Sequence, residues 1–172
     1  RPVLKKIAMA HKALAEVKGI TEIIPNQSIL IDTLSLQEAK DSSAIENIIT
    51  THDDLYRSDV SSKIYTSAAA KEVYSYAAAL RNGFEAVKKH GLLTNNSIME
   101  IQATIEENNA GFRKVPGTEL KNEQSGEIVY TPPQEEKQII ALMDNLEKFI
   151  NDESLSDIDV LVKMIIIHHQ FE

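Results

Sequence analysis

Asp41-Ser42-Ser43-Ala44-Ile45-Glu46-Asn47-Ile48 lies inside a run with helical periodicity that begins near Leu34. A helix places Ser42 and Glu46 one turn apart on the same face, and Asn47 follows directly. On this pattern alone Glu46 is a helix carboxylate like many others, solvated or held in a weak surface pair. What lifts the stretch above that reading is the rest of the chain.

Working outward, the periodicity is mostly that of helices. Leu4 to Lys18 carries Leu4, Ile7, Ala8, Leu14 and Val17 at helical spacing, and Gly19 fits a C-terminal stop. Ile24-Pro25-Asn26 reads as a turn. The helix containing the opening stretch is expected over about 34–48. A third begins after Thr51, with Asp53 and Asp54 well placed in its first turn. Ser67 to Lys89 is alanine-rich and reads as a long buried helix ended by Gly91, its interior Gly83 weakening the pattern slightly. Thr94 to Glu107 follows, with Thr94 or Asn95 as N-cap.

The texture changes between Gly111 and Pro133, where glycines and prolines gather. Thr118-Glu119-Leu120-Lys121 and Glu127-Ile128-Val129-Tyr130 read as two short strands of a β-hairpin, with Gly126 supplying a positive φ near the turn. Pro133 is a suitable first residue for a helix over about 134–150, and a last helix runs from about Ile158. The fold class is therefore mainly α, a helical bundle with one hairpin.

Composition bounds the function. The chain has 172 residues, enough for one domain or two small, tightly packed ones. It is 42% hydrophobic and 26% charged, which suits a buried core. Lys and Arg number 18 against 26 Asp and Glu, a net charge of -8. Such a balance argues against a broad nucleic-acid surface, which needs clustered cations, while leaving room for a local basic pocket. The absence of cysteine excludes disulfides and thiolate zinc sites. No apolar run approaches the roughly 20 residues that span a bilayer, and no signal peptide is visible. A cytoplasmic location with no membrane partner is the expectation. The first residue is Arg1 rather than Met, which leaves room for a preceding segment.

Several extended segments now bear on Glu46. They are Ala10-His11-Lys12-Ala13-Leu14-Ala15-Glu16-Val17-Lys18-Gly19-Ile20, Ile24-Pro25-Asn26, and Gln37 through Asn47. Further on come Ala110-Gly111-Phe112-Arg113-Lys114, Gly126 through Pro133, Leu142 through Ile150, and His169-Gln170-Phe171-Glu172. Together they resemble the Fic family of protein adenylyltransferases (AMPylators). The Ser-x-x-x-Glu-Asn pattern is similar to that family's inhibitory-helix motif. The resemblance implies a Fic N-terminal helical domain over 1–90 containing the inhibitory helix. It implies the first part of the Fic domain, with its flap hairpin, over 91–172.

The family signature, His-Pro-Phe-x-Asp-Gly-Asn-Gly-Arg with a second Arg soon after, is absent. None of His11, His52, His90, His168 and His169 precedes a proline. The family would place the signature just past Glu172, so the resemblance implies a chain cut before the catalytic loop, with no catalytic residue of its own. In the intact protein it implies transfer of AMP from ATP, with Mg²⁺, to a Ser, Thr or Tyr hydroxyl of a target protein. Glu46 would hold the second arginine of the loop away from the γ-phosphate, with Ser42 and Asn47 in support. Thr118, Glu119, Leu120 and Lys121 would form the flap edge that aligns the target strand and borders the nucleotide. A homodimer is compatible with the resemblance, and nucleic acid enters only through a C-terminal domain such as many relatives carry.

Other readings stand beside this one. A helical interaction or dimerisation module without catalysis has the same helices. A Fic-fold enzyme that removes AMP, or transfers another phosphate-containing group, has the same motif. His168 and Glu172 are four apart on a helix, but no third metal ligand is identifiable, so no metal site is assigned. Ile158, Val162, Ile165 and His169 share a helical face, which points to a core-facing, hydrogen-bonded His169. His52 beside Asp53 and Asp54 belongs to a helix start, and no Gly-x-Ser-x-Gly elbow accompanies it.

Overall fold

The structure, a computed structural model, describes residues 2–26, 28–45, 47–58, 60, 62 and 64–171, the side chains of 28–32 excepted. Its helices are α1 (Pro2–Thr21), α2 (Ser28–Ile45), α3 (His52–Arg57), α4 (Ala68–His90), α5 (Asn95–Glu106), α6 (Glu136–Asn151) and α7 (Val160–Phe171). Strands β1 (Leu120–Lys121) and β2 (Ile128–Tyr130) form one antiparallel pair, and a 3₁₀ turn covers Glu153–Leu155. The fold is mainly α with a small hairpin. Two compact units divide the chain: Arg1–Arg81 together with Ile158–Glu172, and Asn82–Asp157.

In the first unit, α1 runs through Gly19 rather than stopping there. An interior glycine costs a helix about 1 kcal/mol relative to alanine, which does not by itself end it. The end comes instead where Thr21 Oγ1 donates to the Lys18 carbonyl at 2.9 Å. Helix α2 begins six residues ahead of Leu34, because the apolar residues 29–31 continue it; a short apolar run fits helix or strand equally by periodicity. Its buried stripe is Ser35, Ala39 and Ser43, four apart and small, which allows close packing.

Helix α3 opens on Thr51, whose side chain accepts from Asp54 N–H while Asp54 accepts from Thr51 N–H, a capping box. The Thr51 hydroxyl and N–H hold the Asp54 carboxyl below the usual carboxylate range. The core of this unit joins Ala39, Leu55, Ala70, Val73 and Ala77, with Leu36, Tyr74 and Tyr76 packed against it. Tyr74 Oη donates to the Leu55 carbonyl at 2.7 Å, and burial pushes its phenol up. Helix α4 is buried along one face only, since Ala68 and Ala78 are exposed where a wholly buried helix was expected. Glutamate, lysine and arginine recur on its outer face, and that gives an amphipathic helix its solvent side.

Asp159 caps α7, accepting from Leu161 N–H at 2.9 Å through its side chain, and it pairs with His11 Nε2 at 2.7 Å. The His11 contact is the main cause holding the Asp159 carboxyl below its ordinary range. His169, expected to face the core, is exposed, and Ile165 on the same face is 63% exposed. The spacing that shares a face between them does not supply a neighbour to cover it. Among the described residues, no helix is long and apolar enough to cross a membrane.

In the second unit, Gly83 meets Ile101: a Cβ at Gly83 would stand 2.7 Å from Ile101 Cδ1. The glycine that weakens the α4 pattern is thus what lets α5 approach. Gly91, at φ 72°, closes α4 with its N–H on the Val87 carbonyl at 2.7 Å. Thr94 caps α5 by accepting from Ser97 N–H. Asn151 of α6 pins the intervening loop, accepting from Leu93 N–H at 3.0 Å and donating to the Leu93 carbonyl at 2.7 Å. Helix α6 starts at Glu136, so Pro133 lies ahead of it rather than at its first position. The Pro133 carbonyl is instead committed to Arg113 Nη2 at 2.7 Å.

Candidate functional site

The motif helix closes in a defined way. Asn47 takes φ 64°, its N–H bonds the Ala44 carbonyl at 3.2 Å, and Ile48 N–H bonds the Ser43 carbonyl at 2.9 Å. These are the two bonds of a Schellman motif, with Asn47 as its left-handed residue. Asparagine is one of the few side chains that visits that region without a large penalty. Its place after the helix is therefore set by the backbone: Asn47 ends α2 one turn beyond Ser43.

Ser42 is half-buried, and its hydroxyl donates to Glu38 Oε1 at 2.8 Å, one turn back. On the neighbouring stripe Gln37 Nε2 donates to Asp41 Oδ2 at 2.7 Å, and this bond chiefly holds the Asp41 carboxyl below its usual range. The last two turns of α2 thus carry side-chain ties at successive i, i+4 positions. Glu46, the expected inhibitory carboxylate, lies outside the described residues.

The hairpin contains the other expected residues. Leu120 pairs with Tyr130 and Lys121 with Ile128, so Val129 is an extra residue, a bulge in β2. The turn is tied by Asn122: its N–H bonds the Glu127 carbonyl at 2.9 Å, and its Oδ1 accepts from Gln124 and Ser125 N–H at 2.9 and 3.1 Å. Gly126, at φ 70°, supplies the positive φ the turn requires. Thr118 and Glu119 precede the paired residues. The Lys121 ammonium lies 3.0 Å from Glu119 Oε2, and the Thr118 carbonyl accepts from Gln134 Nε2 at 3.0 Å. Leu120 is 58% exposed. Thr118, Glu119, Leu120 and Lys121 thus lie in succession on one arm of the hairpin.

Gln134 and Arg113 tie the base of the hairpin; Arg113 stands within a family-like segment of the sequence, but neither residue was given a role there. The signal was present: a strand that ends in Pro132-Pro133 leaves its partner's backbone without ladder bonds.

A cavity of about 590 Å³ in the second unit is lined by Leu92, Thr94, Glu147, Lys148, Asn151, Asp152, Glu153 and Ser154. It presents three carboxylates against one lysine, which repels phosphate. Its polar groups already hold the protein together, since Glu147 accepts from Asn95 N–H and Asn151 clamps Leu93. Among the described residues, no three His, Asp or Glu side chains gather to hold a metal.

The sequence of residues 4–85, which includes α2 and its closing turn, matches the model of the Fic/DOC family N-terminal. That match supports a Fic family protein.

Proposed function

We propose that this chain is the regulatory and acceptor-aligning part of a self-inhibited protein adenylyltransferase. The intact polypeptide would transfer AMP from ATP to a Ser, Thr or Tyr hydroxyl of a target protein in the cytoplasm. The observation that carries the reading is the Ser42-x-x-x-Glu46-Asn47 sequence motif inside the family-matched span, with Ser42 on α2 and Asn47 in its closing turn.

Transfer of AMP means attack by the acceptor oxygen on the α-phosphorus of ATP. The bond to the bridging oxygen breaks, and pyrophosphate leaves. The family signature supplies the histidine base for that hydroxyl, the phosphate cradle and the Mg²⁺ site. The resemblance puts the protein ligand of Mg²⁺ in that signature, beside the phosphates of ATP, rather than in this chain. The ion's part, when bound with ATP, is to neutralise phosphate charge.

The contribution of this chain is control and alignment. Glu46 pairs with the second arginine of the loop; a carboxylate–guanidinium pair is strong and directional, and while it holds that arginine is withheld from the γ-phosphate. Ser42 and Asn47 act through α2, the first by a tie along the helix and the second by ending it. The hairpin edge, Thr118 to Lys121, aligns an extended acceptor segment by strand addition, a mode that reads backbone before side chains.

The test is AMP transfer by the full natural polypeptide with ATP labelled at the α-phosphate, comparing wild type with Glu46→Gly. The expected result is weak labelling by wild type and at least a roughly tenfold gain in the mutant, the loss of about 1.4 kcal/mol of inhibition. Equal labelling of the two would remove Glu46 as the brake.

A further inference from the structure

The hairpin has a break in its ladder that a side chain fills. After Tyr130 the chain runs Thr131-Pro132-Pro133. Proline has no N–H and a fixed φ, so this arm cannot continue antiparallel pairing. The outgoing arm begins at Gly117 and Thr118, whose backbone groups lie opposite that break.

Gln134 supplies what the prolines lack. Its Oε1 accepts from Gly117 N–H at 2.7 Å, and its Nε2 donates to the Thr118 carbonyl at 3.0 Å and to the Pro132 carbonyl. A primary amide carries a carbonyl and N–H donors in one plane, the same groups as a peptide link. The side chain replaces a strand residue and ties both arms at one point. Arg113 Nη2 on the Pro133 carbonyl steadies the same arm.

We propose that Gln134 is a positioning residue for the acceptor: by replacing the ladder bonds that Pro132 and Pro133 cannot make, it fixes the outgoing arm so that Glu119 offers its backbone N–H and C=O to one residue of an extended polypeptide strand. The inference rests on the reading of the hairpin as the acceptor-aligning flap. The geometry comes from strand alternation. The Thr118 carbonyl faces Gln134 and Leu120 pairs with Tyr130, so extended backbone leading into β1 would turn the N–H and C=O of the intervening Glu119 to the opposite edge. Its carboxylate is paired with Lys121, so a strand arriving there meets a neutralised pair.

The experiment uses the full polypeptide carrying Glu46→Gly, alone and with Gln134→Ala or Gln134→Glu. The glutamate variant keeps the size and the acceptor for Gly117 while losing both N–H donors. Short synthetic peptides with one central Ser, Thr or Tyr serve as acceptors, and AMP released to water is measured in the same reaction. Amide exchange at Gly117 and the thermal midpoint are followed in parallel. The expected result in both variants is a fall of about tenfold or more in AMP transfer to peptide, carried by the peptide KM, with release to water within about twofold of the parent. In Gln134→Ala the Gly117 amide exchanges about tenfold faster or more, with the thermal midpoint kept.

Unchanged peptide transfer beside a faster Gly117 amide would overturn the positioning role and leave Gln134 a structural tie. An unchanged Gly117 amide would overturn the tie itself. Equal losses in peptide and water transfer would also overturn it, because alignment touches only the peptide. If Glu46→Gly alone gives AMP to neither peptide nor water, the adenylyl-transfer reading fails. The Gly117 exchange then still decides whether Gln134 secures the arm.

Discussion

Asn47 sits in the left-handed region, where an ordinary L-residue pays about 1–2 kcal/mol. Glycine pays nothing there, and asparagine little. Asn47→Gly is therefore expected to leave stability within about 0.5 kcal/mol, while Asn47→Val loses about 1–2 kcal/mol. Urea unfolding of the pair measures the difference directly. A comparable loss in both variants would mean that the asparagine side chain, and not its backbone angle, holds the turn. The caps were the most legible residues of the chain. Thr51, Thr94, Gly91 and Gly126 act on backbone groups within a few positions, so their chemistry is written next to them. The role of Asn47 was legible only as part of a motif, because nothing local distinguishes an asparagine that ends a helix from one that hydrogen-bonds beside it.

At the scale of elements, two glycines in helices make opposite predictions from one substitution. A Cβ at Gly19 in α1 meets nothing within 4 Å, whereas one at Gly83 in α4 meets Ile101 at 2.7 Å. Gly19→Ala is expected to stabilise by up to about 1 kcal/mol through helix propensity alone. Gly83→Ala gains the same propensity and loses about 1–3 kcal/mol to overpacking, so it comes out neutral to destabilising. Thermal unfolding of both, with Gly83→Ala repeated on an Ile101→Val background, tests the cause; shortening Ile101 should recover part of the loss. Sequence alone treated the two glycines in reverse, as a helix stop at Gly19 and a weak point at Gly83. The distinction depends on a neighbour eighteen residues away in α5, which propensity does not contain. The helices themselves were legible because a 3.6-residue period is a local property. Their ends at Ser28 and Glu136 were not, since an apolar run decides the first and a carbonyl held by Arg113 accompanies the second.

At the scale of the whole molecule, the largest fully buried side chains among the described residues are Leu55 and Val73, which sit with alanines in the first unit's core. Small residues bring helices close but bury little area each, so stability there rests heavily on the few large ones. Leu55→Ala is expected to cost about 2–4 kcal/mol, a large share of the margin of an ordinary domain, with the urea midpoint as the readout. A loss below about 1 kcal/mol would mean the site collapses around the deletion. That the chain is helical with one hairpin, and that it has the Fic likeness, could be read from patterns along it. Which helix face is covered could not, as His169 illustrates: periodicity groups residues on a face without saying what lies opposite.

The shortness of the hairpin has a kinetic side. Two residues pair with three, and the outgoing arm is anchored at Gly117 and Thr118, so a strand docking there as proposed would find only a few free backbone groups. Each bond it makes is worth about 1 kcal/mol net. A visitor held that loosely departs quickly, since differences in hold appear mainly in the rate of leaving. For a protein that would mark many copies of a target in turn, a brief residence lets each one go and frees the edge for the next.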